Sequence, residues 1–243
     1  KVYFGAAPKT RAIKSFDKPF LIYIFLVFLT MQFYTKYMEK QEIRTFGRRH
    51  GKKLSTRQQT LIDTVLPTLK PTTGDILEIG FGAGEHLRDL AHDNPQKIIV
   101  GAEPFMNGVA SLLSAITDTN SNRVLDEYKN IRIWADDVRD YLRATDSKFS
   151  QIWVLHPDPW PKARHEKRRL LSADFLNTLS KYLSDDGEII IGTDHWEYFD
   201  WILEQLKSTN LTATIPDMEI IQTRYQHKNK AGTDAPKYLV LHN

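Results

Sequence analysis

An open α/β domain built on a mostly parallel sheet is the fold class this sequence predicts, and three observations predict it. From Asp75 onward, short apolar runs alternate with amphipathic stretches, the signature of βαβ units. The first apolar run ends in a glycine turn, the arrangement by which open α/β sheets hold ligands at the carboxyl ends of their strands. After the last amphipathic stretch two apolar runs flank a polar segment, which suits an antiparallel pair closing a parallel sheet.

The elements follow in order. Ser55-Thr56-Arg57-Gln58 has capping-box spacing and opens a helix to about Leu66, where Pro67 and Pro71 stop it. Strands are predicted at 75–80, 97–103, 130–134, 149–156 and 187–193, with helices near 85–93, 105–116, 137–144, 172–183 and 195–207. Residues 218–224 and 236–242 are predicted as the last two strands, joined by a hairpin over 227–235 that contains Gly232. The sequence shows no internal repeat.

With 243 residues, 41% of them hydrophobic and 26% charged, the chain is long enough for one α/β domain with a sizeable core. It has no cysteine, which excludes disulfides, thiolate metal sites and cysteine nucleophiles and suits a reducing cytoplasm. No metal is expected. Residues 1–43 read differently from residues 44–243, which are expected to form the single working domain. Phe20 to Leu29 is an unbroken apolar run that weakens through Tyr34, short of the roughly 18–20 residues a membrane-spanning helix needs. Three readings of this leader stand: non-native sequence upstream of a working start at Met31 or Met38, a short docking segment or anchor, or an export signal following Lys9, Arg11, Lys14 and Lys18. No stable membrane association is expected unless the 20–34 segment is native.

Ile76-Leu77-Glu78-Ile79-Gly80-Phe81-Gly82-Ala83-Gly84-Glu85 reads as buried strand, glycine turn and helix start. Glycine admits positive φ and close approach of a ligand, and the helix start offers free N–H groups. Gly80, Gly82 and Gly84 give G-x-G-x-G, not the dinucleotide fingerprint, so a nucleoside without a pyrophosphate fits better. Glu78 before the turn repels phosphate and suits a cationic amino acid. Glu103, about 20 residues on at the tip of the second strand, suits a ribose diol. Asp136 and Asp137 close the third strand, where a carboxylate can accept from an adenine amino group. A glycine turn alone also fits a plain strand-to-helix link. The acidic residues at successive strand ends point instead to an adenosine-containing cofactor.

The fourth strand runs into His156-Pro157-Asp158-Pro159-Trp160-Pro161-Lys162, where flanking prolines restrict the backbone around Asp158. The loop then turns basic with Arg164, His165, Lys167, Arg168 and Arg169. A second basic cluster lies at Arg44, Arg48, Arg49, Lys52, Lys53 and Arg57, interleaved with Phe46 and His50. Two such clusters in a chain of net charge +3 leave a footprint suited to a phosphate backbone. Asp194 ends the fifth strand, and Thr223-Arg224-Tyr225-Gln226 ends the sixth. A carboxylate accepts the adjacent N1–H and N2–H donors of guanine in a fork, which makes Asp158 and Asp194 candidates to grip such a base. Asp194 also suits the N-cap of the following helix. Trp160 is the candidate aromatic surface for a splayed-out base.

Taken together, RTFGRRHGKKLSTRQQ (44–59), LEIGFGAGEH (77–86), HPDPWPKARHEKRR (156–169), GTDHWEYF (192–199) and TRY (223–225) resemble the bacterial tRNA (guanine-N7)-methyltransferase family over residues 44–243. The P-D-P-W-P-K-x-R-H block is specific, while the glycine loop alone is not. The resemblance implies a Rossmann-like methyltransferase fold with a seven-stranded sheet, acting on the variable-loop guanine at position 46 of tRNA. It implies that Glu78, Glu103 and Asp136 contact S-adenosylmethionine and that Asp158 holds the cofactor and active-site position. Lys162, Asp194, Thr223, Arg224, Tyr225 and Gln226 then bind substrate. Two departures stand out: Gln226 replaces the family's usual glutamate and brings no charge, and His156 stands where phenylalanine is frequent. The competing reading is a methyltransferase of the same cofactor class acting on another RNA or a small molecule.

Overall fold

The computed structural model describes residues 46–47, 49–216 and 236–243, all within one compact unit, Thr45–Asn243. Its sheet has the order β3-β2-β1-β4-β5-β7-β6. The strands are β1 (Ile76–Ile79), β2 (Ile99–Ala102), β3 (Ile131–Trp134), β4 (Phe149–Leu155), β5 (Leu183–Thr193), β6 (Thr212–Thr214) and β7 (Lys237–His242). β1 to β5 are parallel; β7 runs antiparallel to β5, and β6 antiparallel to β7. Chain order reverses on either side of β1, which pairs with β2 on one edge and β4 on the other, so the glycine turn after β1 lies at the topological switch point.

Helices cover both faces. Leu61 and Val65 at α1 (Thr56–Thr64), Leu87, Leu90 and Ala91 of α2 (Glu85–Asp93) and Val109 to Ile116 of α3 (Met106–Ile116) pack on one face against Ile76, Ile99, Ile131 and Trp153. On the other face, α4 (Val138–Ala144), α5 (Ala173–Ser180) and α6 (Trp196–Leu206) bury Tyr141, Phe175, Leu179, Tyr198 and Ile202 against Leu77, Ile79, Val100 and Ile189. Covering both faces is why β1 and β2 are buried along their whole length, so that Glu78 of β1 is a buried charge among apolar neighbours. Each large aliphatic side chain so buried contributes about 1.5–3 kcal/mol over leaving it in water. The capping box before α1 is formed: Ser55 Oγ accepts from Gln58 N at 3.2 Å, and Gln58 Oε1 accepts from Ser55 N at 3.0 Å.

The five parallel strands and the helices between them fall close to where the pattern puts them, with a shift at one junction, where β5 begins at Leu183 and not at the expected residue 187. α5 ends at Ser180, short of the expected residue 183, because Leu183 already pairs with Phe149. The next pair is Gln151 with Glu188, so β5 carries a bulge, and Gly187 permits it: a Cβ there lies 2.7 Å from the Phe149 carbonyl. The strand Thr212–Thr214 that flanks β7 was not expected; all three residues are exposed, so no burial alternation marks it. The predicted strand 218–224, the hairpin 227–235 and the apolar run 20–34 with its leader lie outside the described residues. Among the described residues no helix is long and apolar enough to cross a membrane, and no group of three His, Cys, Asp or Glu side chains is arranged to hold a metal ion.

Candidate active site

β1 delivers the chain to a turn in which Gly80, Gly82 and Gly84 take φ of +77°, +57° and +78°. A Cβ on Gly80 or Gly82 meets nothing within 4 Å, so the turn is open on that side. On its other side it is tightly packed: a Cβ on Gly84 lies 2.6 Å from Leu112 Cδ1, and one on Gly108 of α3 lies 2.3 Å from the Gly82 carbonyl oxygen. Glu103 locks this arrangement. Its two carboxylate oxygens accept from the backbone N–H of Gly82 and of Phe105, both at 2.8 Å. Burial pushes its carboxyl above the usual carboxylate range, the two N–H donors pull it back, and the charges of Glu78 and Asp158 push it up again.

Glu78 is almost wholly buried on the α1–α3 face of β1. Its Oε2 faces Nδ1 of His86, in the first turn of α2, at 3.3 Å. Neither atom makes a hydrogen bond, so the carboxylate has unused accepting capacity at the open turn. His86 sits edge-on to Trp153 of β4, with ring centroids 4.8 Å apart. In the sequence the one signal for His86 is its place two residues past Gly84, on the α2 turn that meets β1.

Asp136 and Asp137 divide their work. Asp136 is half exposed beyond β3; its Oδ1 pairs with Arg49 at 2.8 Å and accepts from Asp137 N. Asp137 is a helix cap, accepting from Arg139 N and pairing with the Arg139 guanidinium at 3.0 Å, so it has a structural role.

After β4, the His156 N–H donates to the Gly192 carbonyl at 2.7 Å, and the chain leaves the sheet. His156 and Trp160 take φ of +48° and +43°, bracketing Pro157-Asp158-Pro159. Left-handed backbone at two non-glycine residues is strain of the kind that accumulates at functional sites, and it lifts Asp158 into solvent. Asp194, just past β5, is not the cap of α6. His195 is, its ring accepting from Tyr198 N at 3.3 Å. Asp194 instead faces His156, with Oδ1 and Nδ1 3.6 Å apart. Thr223, Arg224, Tyr225 and Gln226 lie outside the described residues.

The basic clusters resolve into two kinds of residue. Lys162, Arg164 and Lys167, with His50, Lys52 and Lys53, are exposed. His165 is pushed below its usual value, first by partial desolvation and then by the positive charges of Arg168, Arg164 and Lys162. Arg169, by contrast, is buried: its Nε donates to the Pro159 carbonyl at 2.9 Å, it pairs with Glu166, and it lies over the rings of Tyr198 and Trp201. Arg57 donates to the Thr117 and Asp118 carbonyls and to Thr117 Oγ1, tying α1 to the end of α3. These two arginines belong to the scaffold, a correction to the count of cations available to a phosphate backbone. Arg168 lies between the rings of Trp160 and Phe46, 4.9 and 5.1 Å from their centroids, so the Trp160 ring is already in contact with a cation. Beside Asp194, the half-exposed Trp196 ring carries Lys237 Nζ 3.1 Å from its centroid, an aromatic surface the sequence reading did not single out.

The sheet order, the glycine turn at its switch point and the acidic strand ends define the class as a Rossmann-like methyltransferase. A solved 16S rRNA methyltransferase superposes on 81% of this chain and 97% of its own with a TM-score of 0.50; at 13% identity it shares the fold. The family described as "Putative methyltransferase" matches residues 72–235. A tRNA (guanine-N(7)-)-methyltransferase of Caulobacter vibrioides is 34% identical over 219 residues, covering 81% of this chain and 93% of the relative. One from Hyphomonas neptunium is 36% identical over 211 residues, covering 76% and 93%. The chain belongs to the tRNA (guanine-N7)-methyltransferase family.

Proposed function

We propose that residues 44–243 transfer a methyl group from S-adenosylmethionine to N7 of a guanine in tRNA, the variable-loop guanine at position 46, and that the protein works in the cytoplasm. The observation that carries the reading is the juxtaposition at the carboxyl edge of β1: an open glycine turn, a buried Glu78 oxygen without a hydrogen bond, and Asp158 on the loop that follows the neighbouring strand β4. These residues fit the cofactor. A buried carboxylate oxygen lacking a donor is costly until one arrives, and an amino acid ammonium supplies it. Glu103 keeps lone pairs for a ribose hydroxyl while it holds Gly82 and Phe105. Asp136 is the acceptor for the adenine amino group, steadied by Arg49. When bound, S-adenosylmethionine supplies a methyl group already activated by a sulfonium.

Guanine N7 carries a lone pair and no proton, so no side chain need act as a base. What the chain contributes is alignment and placed charge. Asp194 grips the Watson–Crick edge, and Thr223, Arg224, Tyr225 and Gln226 are further substrate ligands. Asp158 and Asp194 stabilise the positive charge that the ring acquires. Lys162, Arg164 and Lys167 hold the phosphate backbone beside the loop.

The test is methyl transfer by the purified chain to tRNA, followed by mass spectrometry of the nucleosides. N7-methylguanosine at position 46 is the expected product, and it should vanish from tRNA of a strain lacking the gene. Transfer to small molecules or to other RNA with tRNA unmodified would overturn the proposal.

A further inference from the structure

Asp194 is a third exposed at the end of β5 and is spared from capping α6, because His195 does that. A carboxylate that recognises guanine must present its oxygens in the plane of two N–H donors, and one free to rotate pays ordering entropy each time a base binds. The partner recorded for Asp194 among the described residues is His156, whose Nδ1 lies 3.6 Å from Asp194 Oδ1 and whose side chain is 8% exposed. The backbone puts the ring there. β4 and β5 stay paired through Leu155 and Gly192, the His156 N–H donates to Gly192, and a φ of +48° then takes the chain out of the strand just ahead of Pro157. Histidine tolerates that backbone better than branched residues do. Phenylalanine fills the same volume with nothing to offer a carboxylate.

We propose that His156 is a positioning residue for substrate recognition: it restrains the Asp194 carboxylate in the orientation that meets the adjacent N–H donors of guanine. His156 does not touch the base. At 3.6 Å its ring nitrogen is at ion-pair rather than hydrogen-bond distance, and this polar contact biases the orientation of the carboxylate beside it, so part of the ordering cost is met in folding. Adenine presents an acceptor at N1 where guanine presents a donor, and a fixed carboxylate rejects it more sharply than a mobile one. The inference rests on the reading of Asp194 as a guanine ligand.

A double-mutant cycle on the full chain tests it, with His156→Phe, Asp194→Ala and the pair, reading kcat, KM for tRNA and KM for S-adenosylmethionine. His156→Phe is expected to raise KM for tRNA about threefold to tenfold, in the lower part of the range of coupling between residues in contact. KM for S-adenosylmethionine should not change. Asp194→Ala should raise KM for tRNA further, and adding His156→Phe to it should do nothing more. Multiplying effects, or His156→Phe with the parent KM for tRNA, would overturn the positioning role and leave the role of Asp194 intact. If Asp194→Ala itself leaves KM for tRNA unchanged, the guanine-ligand reading fails and the inference with it. Should His156→Phe not fold, His156→Ala takes its place in the same cycle with the same criteria.

Discussion

At the scale of the residue, the run from Lys162 to Arg169 shows how one stretch of charge divides into separate tasks. Lys162 is exposed, while Arg169 is buried and fastens the Pro159 carbonyl of the proline–aspartate loop. Arg169→Ala should therefore lower stability by about 2–3 kcal/mol, since a buried donor to charged and carbonyl partners is lost. The denaturation midpoint reads this, and an unchanged midpoint would refute the anchoring role. Lys162→Ala should leave stability within about 0.5 kcal/mol and reduce the salt slope of tRNA binding by about one. Asp158→Ala should remove most methyl transfer at saturating substrates while the protein stays folded, because Asp158 is exposed and holds no element together. Near-parent turnover would show that it has no part in the chemistry.

At the scale of the element, the glycine turn is shaped from outside as much as from within. Positive φ at Gly80, Gly82 and Gly84 is local, but the turn's position comes from α3, which approaches so closely that Gly108 has no room for a Cβ beside the Gly82 carbonyl. Gly108→Ala must move one of two backbones, so it should weaken S-adenosylhomocysteine binding at least about tenfold, with a structural cost of the order that overpacking brings, about 1–3 kcal/mol. Titration calorimetry checks it, and parent affinity would mean that the turn tolerates displacement. The parallel strands, their helices and the capping box at Ser55 were legible in the sequence because each follows from local periodicity and local hydrogen bonding. Thr212–Thr214 was not legible: its three residues are exposed, and its pairing with β7 joins residues about 28 positions apart in the chain.

At the scale of the molecule, the sheet brings together at one rim acidic groups from five strand ends, with exposed cations beside them. A ligand that bridges β1, β2 and β3 binds the folded chain alone. S-adenosylhomocysteine at about 100 times its Kd should therefore add about 2.7 kcal/mol of stability. For a domain of this size that is a rise in Tm of roughly 5–10 °C, measured by scanning calorimetry; no shift at that concentration would argue against the cofactor site. The sequence by itself determined the fold class, the glycine turn and the family, because apolar periodicity, turn chemistry and a distinctive proline–aspartate loop are properties of neighbouring residues. Tertiary structure alone decided which charges are free to meet a substrate. Arg57, Arg169 and Asp137 are consumed by the scaffold, Glu103 divides itself between two backbone donors, and His156 comes to face Asp194. The reason is physical: the partner of a polar group is set by what packs against it across the fold, and a one-dimensional run of charge carries no record of that.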